Sequence, residues 1–213
     1  ISRACARAAG DATRATRAAN MFFEMYKKPN EDQRLAIANA IANVGEVVGV
    51  DAFDGMFSRG CLSAETSAAA AHGDERRVLT LDVVAKLGSS LWYTSNAFII
   101  DSFKRGAADP SDDVRAECAR GMSRYIAARA PSDATAADVA EDVALALASD
   151  GSEDVADAAR LDLAPAIAEW YLSSQDASAV SMNRFTDVFA PKLFNAALAA
   201  LESGWSGAGA ERA

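Results

Sequence analysis

The stretch from Val78 to Phe103 (VLTLDVVAKLGSSLWYTSNAFIIDSF) is the most apolar run in the chain. Placed on a helix, Leu81, Val84, Leu87, Leu91 and Phe98 fall along one side at i, i+3/i+4 spacing, and Trp92, Ile99 and Phe103 widen the stripe. Asp82, Lys86, Ser89, Asn96 and Asp101 share the opposite side. An apolar sector this wide needs cover from several directions. The pattern predicts a central helix near residues 78–105 with the rest of the chain packed around it.

Alanine decides what that packing looks like. The chain has 50 alanines among its 213 residues, and alanine favours helix while adding little apolar area. Long helices in close contact through small side chains are expected. No sustained period-2 alternation occurs, and no Asn-Gly or Asp-Gly turn joins β-branched runs. The fold class that follows is all-α, an irregular bundle of about six to eight helices.

Three divisions are expected along the chain: a basic helical arm over 1–28, a helical domain over 29–203, and a loose tail over 204–213. The arm carries Arg3, Arg7, Arg14 and Arg17 at spacings that form one stripe, then the apolar cluster Met21, Phe22, Phe23, Met25 and Tyr26. It reads either as an arm that docks on an acidic protein or anionic surface, or as a solvated helix pinned by its aromatic end. In the domain, Val50 to Phe57 reads as a short helix or turn carrying Phe53 and Phe57 inward. Ser111 caps a helix to Ala128 with Val114, Cys118, Met122 and Tyr125/Ile126 in phase. Thr135 to Ser149 and Ser152 to about Ser173 follow, the latter kinked at Pro165. The last helix, from about Ala179 to Glu202, places Phe185, Val188, Phe189, Leu193 and Leu201 at core spacing, with a kink at Pro191. Beyond it only Trp205 offers an anchor.

Charge is unevenly spread. The net charge is -9, which argues against nucleic acid as the main partner. Arg3, Arg7, Arg14 and Arg17 face the single acid Asp11 in the first twenty residues, whereas residues 131–190 carry twelve acids against Arg160 and Arg184 alone. Such a lopsided field suits oriented docking within an assembly, and equally keeps an alanine-rich bundle in solution. No run of eighteen uncharged apolar residues is present, so no transmembrane span is expected. The Arg-, Ala- and Thr-rich start, opening on Ile1, has the composition of an organelle-targeting flank and favours a plastid setting.

Residue types for most catalytic chemistries are missing or scattered. His72 is the only histidine and lies in a tract (AAAAHGDERR) expected at the surface. Cys5, Cys61 and Cys118 lie more than fifty residues apart, with no Cys-x-x-Cys pair; buried thiols in a reducing compartment are expected, with one disulfide among them open. The carboxylate groups Asp112/Asp113, Glu141/Asp142 and Glu153/Asp154/Asp157 lack the Glu-x-x-His of a di-iron bundle and the order of a calcium loop. No phosphate-binding glycine motif is present. No metal or catalytic residue is assigned.

Cys118-Ala119-Arg120 followed by Tyr125-Ile126 resembles the bilin-attachment helix of phycobiliproteins, a globin-like family of light-harvesting proteins. That family has an Asp directly after the Arg, where Gly121 stands here, and the likeness covers under ten residues of 213. Neither fold nor pigment is carried over from it. The Glu-x-x-Asn/His-x-Arg signature of chlorophyll-binding antenna proteins is absent.

The leading expectation is a non-catalytic helical linker, scaffold or peripheral subunit that joins other proteins, with a plastid photosystem-antenna complex as the specific setting. Its partner-binding residues would be Arg3, Arg7, Arg14, Arg17, Phe22, Phe23, Tyr26, Trp170, Tyr171 and Trp205. No cofactor is required. The alternatives are a helical domain binding a small molecule or pigment beside Trp92, Tyr93 and Asn96, and an enzyme working through carboxylates such as Glu141 or Glu153.

Overall fold

Two serines divide the apolar stretch. In the computed structural model, which describes residues 12–26, 36–37, 49–54, 73–90, 96–129, 134–173 and 183–210, the expected rod is two helices. In chain order the α-helices are α1 (Ala12–Tyr26), α2 (Val50–Phe53), α3 (Asp74–Gly88), α4 (Asn96–Ala107), α5 (Asp112–Ala127), α6 (Ala134–Leu147), α7 (Glu153–Asp157), α8 (Ala164–Ser173) and α9 (Ala190–Ala210). A π-helical turn, Ala158–Leu163, joins α7 to α8, and a second, Phe185–Phe189, leads into α9. Among the described residues there is no strand, so the all-α fold stands.

The rod ends after Gly88 because Ser89 and Ser90 turn their hydroxyls back onto the carbonyls of Ala85 and Lys86, each at 2.8 Å. Serine side chains that bond the preceding turn offer the backbone an alternative to continuing the helix. The breadth of burial is nonetheless as the sequence indicates. Thr80, Leu81, Val83, Val84, Ala85, Leu87 and Gly88 are all buried on α3, while Asp82 and Lys86 pair one turn apart on its polar side.

The chain divides into two compact units, Ile1–Gly106 and Ala107–Ala213, a boundary at the end of α4 that differs from the expected arm, domain and tail. In the first unit, Tyr26, Phe53 and Phe103 are fully buried; Phe57 lies outside the described residues. Gly49, at φ +88°, supplies the left-handed turn that starts α2 and accepts the Phe53 amide at 3.0 Å.

In the second unit α5 packs against α6, α7, the first π turn and α8. Its buried face is Val114, Ala116, Cys118, Ala119, Gly121, Met122, Tyr125 and Ile126. Alanines fill the facing positions: Ala136, Ala137, Ala140, Ala144, Ala156 and Ala159 are all buried. Small side chains at both surfaces let the helix axes approach closely, and the large residues Tyr125, Leu163 and Ile167 then close the gaps.

Pro165 and Pro191 were the expected kinks, and each follows a π turn by two residues. The Ala164 amide reaches the Ala159 carbonyl and the Ala190 amide reaches that of Phe185, both five residues back. A proline ring clashes with the carbonyl four residues earlier; a wider turn just before it gives that carbonyl room, and the helix continues. The wider turn also re-aims side chains. Arg160, in the first π turn, donates from Nε to the Ala148 carbonyl at 2.9 Å and so caps the end of α6. At the C-terminus, α9 runs to Ala210, where a loose tail was expected, since each residue added to an existing helix gains a backbone hydrogen bond.

Two turns of this unit are joined by one guanidinium. Arg115 donates from Nε and Nη2 to Asp150 at 2.7 and 2.9 Å, and from Nη1 to the Asp109 and Pro110 carbonyls at 2.8 and 3.0 Å. Asp150 also accepts the Ser152 amide at 2.9 Å. Its hydrogen bonds with Arg115 outweigh desolvation and hold its carboxyl below the usual aspartate range. The carboxylate is thus favoured by folding. Its contribution is complete above about pH 4 and fades as pH falls through the lower pKa of the folded state. Asp150→Asn is expected to lower unfolding free energy by about 1–3 kcal/mol at neutral pH and to flatten the acid limb of a urea-melt stability profile. Equal stability of variant and parent at pH 7 would contradict this role.

Candidate functional site

The residues that converge most closely lie where the C-terminal segment meets α6 and α8. Asp138 and Glu141 stand one turn apart on α6, Trp170 and Tyr171 close α8, and Arg184 immediately precedes the second π turn. Glu141 is only 6% exposed, and a buried carboxylate needs partners for both oxygens. The Tyr171 hydroxyl donates to Oε1, and Arg184 Nη2 donates to Oε2 at 2.8 Å. The same guanidinium reaches Asp138 at 2.5 Å. One carboxylate thereby ties three segments of chain together.

An aromatic row continues the clasp. The Tyr171 ring meets Trp170 edge-on at 5.1 Å and Phe185 at 5.6 Å, and Phe185 meets Phe189 at 5.9 Å. These separations lie within the range at which ring pairs attract beyond simple burial. Both phenylalanines belong to the π turn, whose wider spacing lets residues four apart, Phe185 and Phe189, share the face toward Tyr171.

The electrostatics suit a fastener. Burial and the hydrogen bond to Glu141 push the Tyr171 phenol above its ordinary range, and the Glu141 and Asp138 carboxylates hold Arg184 firmly charged. A proton-transfer group working near neutrality needs a pKa near 7, and both are moved away from it. Cys118, buried in α5, is likewise held as a thiol because burial disfavours its thiolate. Among the described residues, no group of three or more His, Cys, Asp or Glu is arranged to hold a metal ion.

What the clasp positions is α9, which packs against α6. The expected core stripe of this segment is only partly inward. Phe189 is buried and Phe185 and Leu193 are half-buried, but Val188 is 42% exposed; Phe194 and Leu198, outside the expected stripe, are 67% and 42% exposed. The π turn, which a uniform helical period omits, shifts the phase between Phe185 and the residues of α9. Phe194 and Leu198, four apart, leave an apolar stripe facing solvent.

The residues expected to bind partners are distributed as follows. Arg14 and Arg17 are exposed on α1, and Tyr26 at its end is buried. Phe22 and Phe23 lie within α1, and Trp205 within α9. Trp170 and Tyr171, expected as partner-binding anchors, are buried, Tyr171 against Glu141 and the Phe185 ring and Trp170 edge-on to Tyr171. Arg3, Arg7, Cys5, Cys61, His72, Trp92 and Tyr93 lie outside the described residues. Asn96 opens α4. Glu153, the other carboxylate considered, sits exposed in the first turn of α7. No helix among the described residues is long and apolar enough to cross a membrane.

Sequence reasoning did not single out Arg184, Phe194 or Leu198. A signal for the first was present: Arg184 is one of two basic residues among twelve acids over 131–190. Comparison with protein families, curated proteins and solved structures gives no match.

Removing one clasp partner should loosen α9 ahead of the rest of the unit. Tyr171→Phe is expected to cost about 1–2 kcal/mol and Glu141→Leu somewhat more, since the latter strands both donors. Amide hydrogen exchange should then rise over residues 185–200 while α5 stays protected. Uniform exchange across α5 and α9 in both variants would contradict a local clasp.

Proposed function

We propose that this protein is a non-catalytic helical scaffold or peripheral subunit that joins other proteins, and that α9 is its docking element. The observation that supports this is the solvent-facing apolar stripe of Phe194 and Leu198 on a helix fastened to the body of its unit. Large apolar side chains grouped on a surface are characteristic of protein contacts, and a rigid support lowers the entropy cost of using them. The Glu141 group supports the same reading by its chemistry. Tyr171 Oη and Arg184 Nη2 donate to it and so join α6, α8 and the C-terminal segment, an arrangement that supports a positioned surface.

The partners in this reading are other subunits of a larger assembly. The setting in this reading is the periphery of a plastid photosystem-antenna complex, supported by the Arg-, Ala- and Thr-rich composition of residues 1–20.

The test uses the full chain isolated under mild conditions from its native cells. Phe194→Glu with Leu198→Glu should leave the circular dichroism spectrum unchanged, because both side chains already face solvent. The doubly substituted chain should lose the subunits that accompany the parent, with at least a tenfold drop in recovery, about 1.4 kcal/mol of binding. Equal recovery with both chains would refute α9 as the docking element.

A further inference from the structure

We infer that the outer side of the segment from α7 to α8 takes a basic amphipathic helix of another protein, one with an apolar stripe flanked by lysine or arginine. This surface is separate from α9, and the inference does not rest on the assignment made there.

The apolar part comes from spacing and exposure. Leu161 is 69% and Leu172 68% exposed. Pro165, also exposed, lies four residues after the first and seven before the second. Steps of four and seven are one and two helical turns, so the three share one side. Leu163, Ile167 and Trp170, each two residues from one of them, are buried beneath. The outer leucines therefore belong to the surface and not to the core.

Charge decides the occupant. Asp154, Asp162 and Glu169, all exposed, follow one another at eight and seven residues. The eight make two turns because they pass through the first π turn, whose hydrogen bonds close over five residues rather than four. The carboxylates thus form an edge beside the apolar line. Neither neighbouring arginine neutralises it. Arg160 is turned onto the Ala148 carbonyl, 2.9 Å from its Nε. Arg120 Nε stands 3.8 Å from Asp162, with both side chains about half exposed, a pairing that solvent weakens. An apolar line edged by carboxylates is matched by a helix that sets cations beside its leucines, and mismatched by an acidic or uncharged one. Twelve acids against two arginines over 131–190 extend the same preference to longer range. On α9, by contrast, Lys192 and Glu202 offset each other. The two surfaces select differently, so a subunit carrying both can hold two unlike neighbours.

The test is binding of synthetic peptides to the full chain, read by fluorescence anisotropy at low salt. The probe is a helical peptide of about fifteen residues, with leucines at i, i+3/i+4 and lysines beside them. One comparison peptide has glutamine for lysine; another has the same composition in shuffled order. Both should bind at least about tenfold more weakly than the probe. Leu161→Ser with Leu172→Ser should weaken binding of the probe about tenfold. Asp162→Asn with Glu169→Gln should weaken it about threefold, an effect that shrinks as salt rises. Asp101→Asn with Asp142→Asn removes equal charge elsewhere and should behave as the parent. All of these side chains are exposed, so circular dichroism should not change. Equal binding of the glutamine peptide would assign the face to an uncharged partner and overturn the inference. Equal binding of the shuffled peptide, or an equal loss in the Asp101 and Asp142 variant, would reduce the effect to general attraction and overturn it too. So would full binding with both serines in place. Every variant leaves α9 unaltered, so failure here is distinct from failure of the α9 assignment, which co-isolation reads.

Discussion

The second unit depends on one buried carboxylate. Glu141 has been taken out of water, and it is tolerable there because a phenol and a guanidinium from two other segments meet it. The dependence runs both ways. Arg184 is 42% exposed on its side chain and reaches Glu141 from the surface, so solvent weakens its share of the attraction. The sheltered Tyr171–Glu141 bond and the adjoining rings supply the directional part. Together they determine where the chain re-enters after α8, and hence which way α9 faces.

The acidic half of the chain makes economical use of its two basic residues. Arg160 closes the C-terminal end of α6 through the Ala148 carbonyl, and Arg184 engages Asp138 and Glu141 on the same helix. Each belongs to or immediately precedes a π turn, and each turn stands just before a proline. The prolines would break regular helices; the wide turns absorb them and re-aim the neighbouring side chains. Backbone accommodation and side-chain placement are in this way one feature.

Much of this architecture is legible in the residues. The periods of α5 and α6 are visible because Val114, Cys118, Met122 and Ile126, and Val139, Val143 and Leu147, repeat at helical spacing and are buried. The divided apolar stretch is less visible, since Ser89 and Ser90 act through local bonds to carbonyls that hydrophobic periodicity does not register. The π turns are hidden for a related reason: a uniform 3.6-residue period carried through Pro191 places Val188 in the core, where it is exposed. Trp170 and Tyr171 look like free anchors in the sequence, because Tyr171 is engaged by Glu141, thirty residues earlier, and by Phe185, fourteen later, too distant for any local pattern to show. Arg184 could be noticed by its rarity, but its partners are settled only by the fold.

In this account the clasp gives α9 a fixed orientation, and the orientation makes its apolar stripe available. Spin labels placed at Asp142 on α6 and Asn195 on α9, both exposed positions, would measure that directly by pulsed dipolar spectroscopy. One narrow distance is expected in the otherwise unaltered chain, and a broad distribution once Arg184 is replaced by alanine. A distribution that is already broad with the clasp intact, or stays narrow without Arg184, would contradict it.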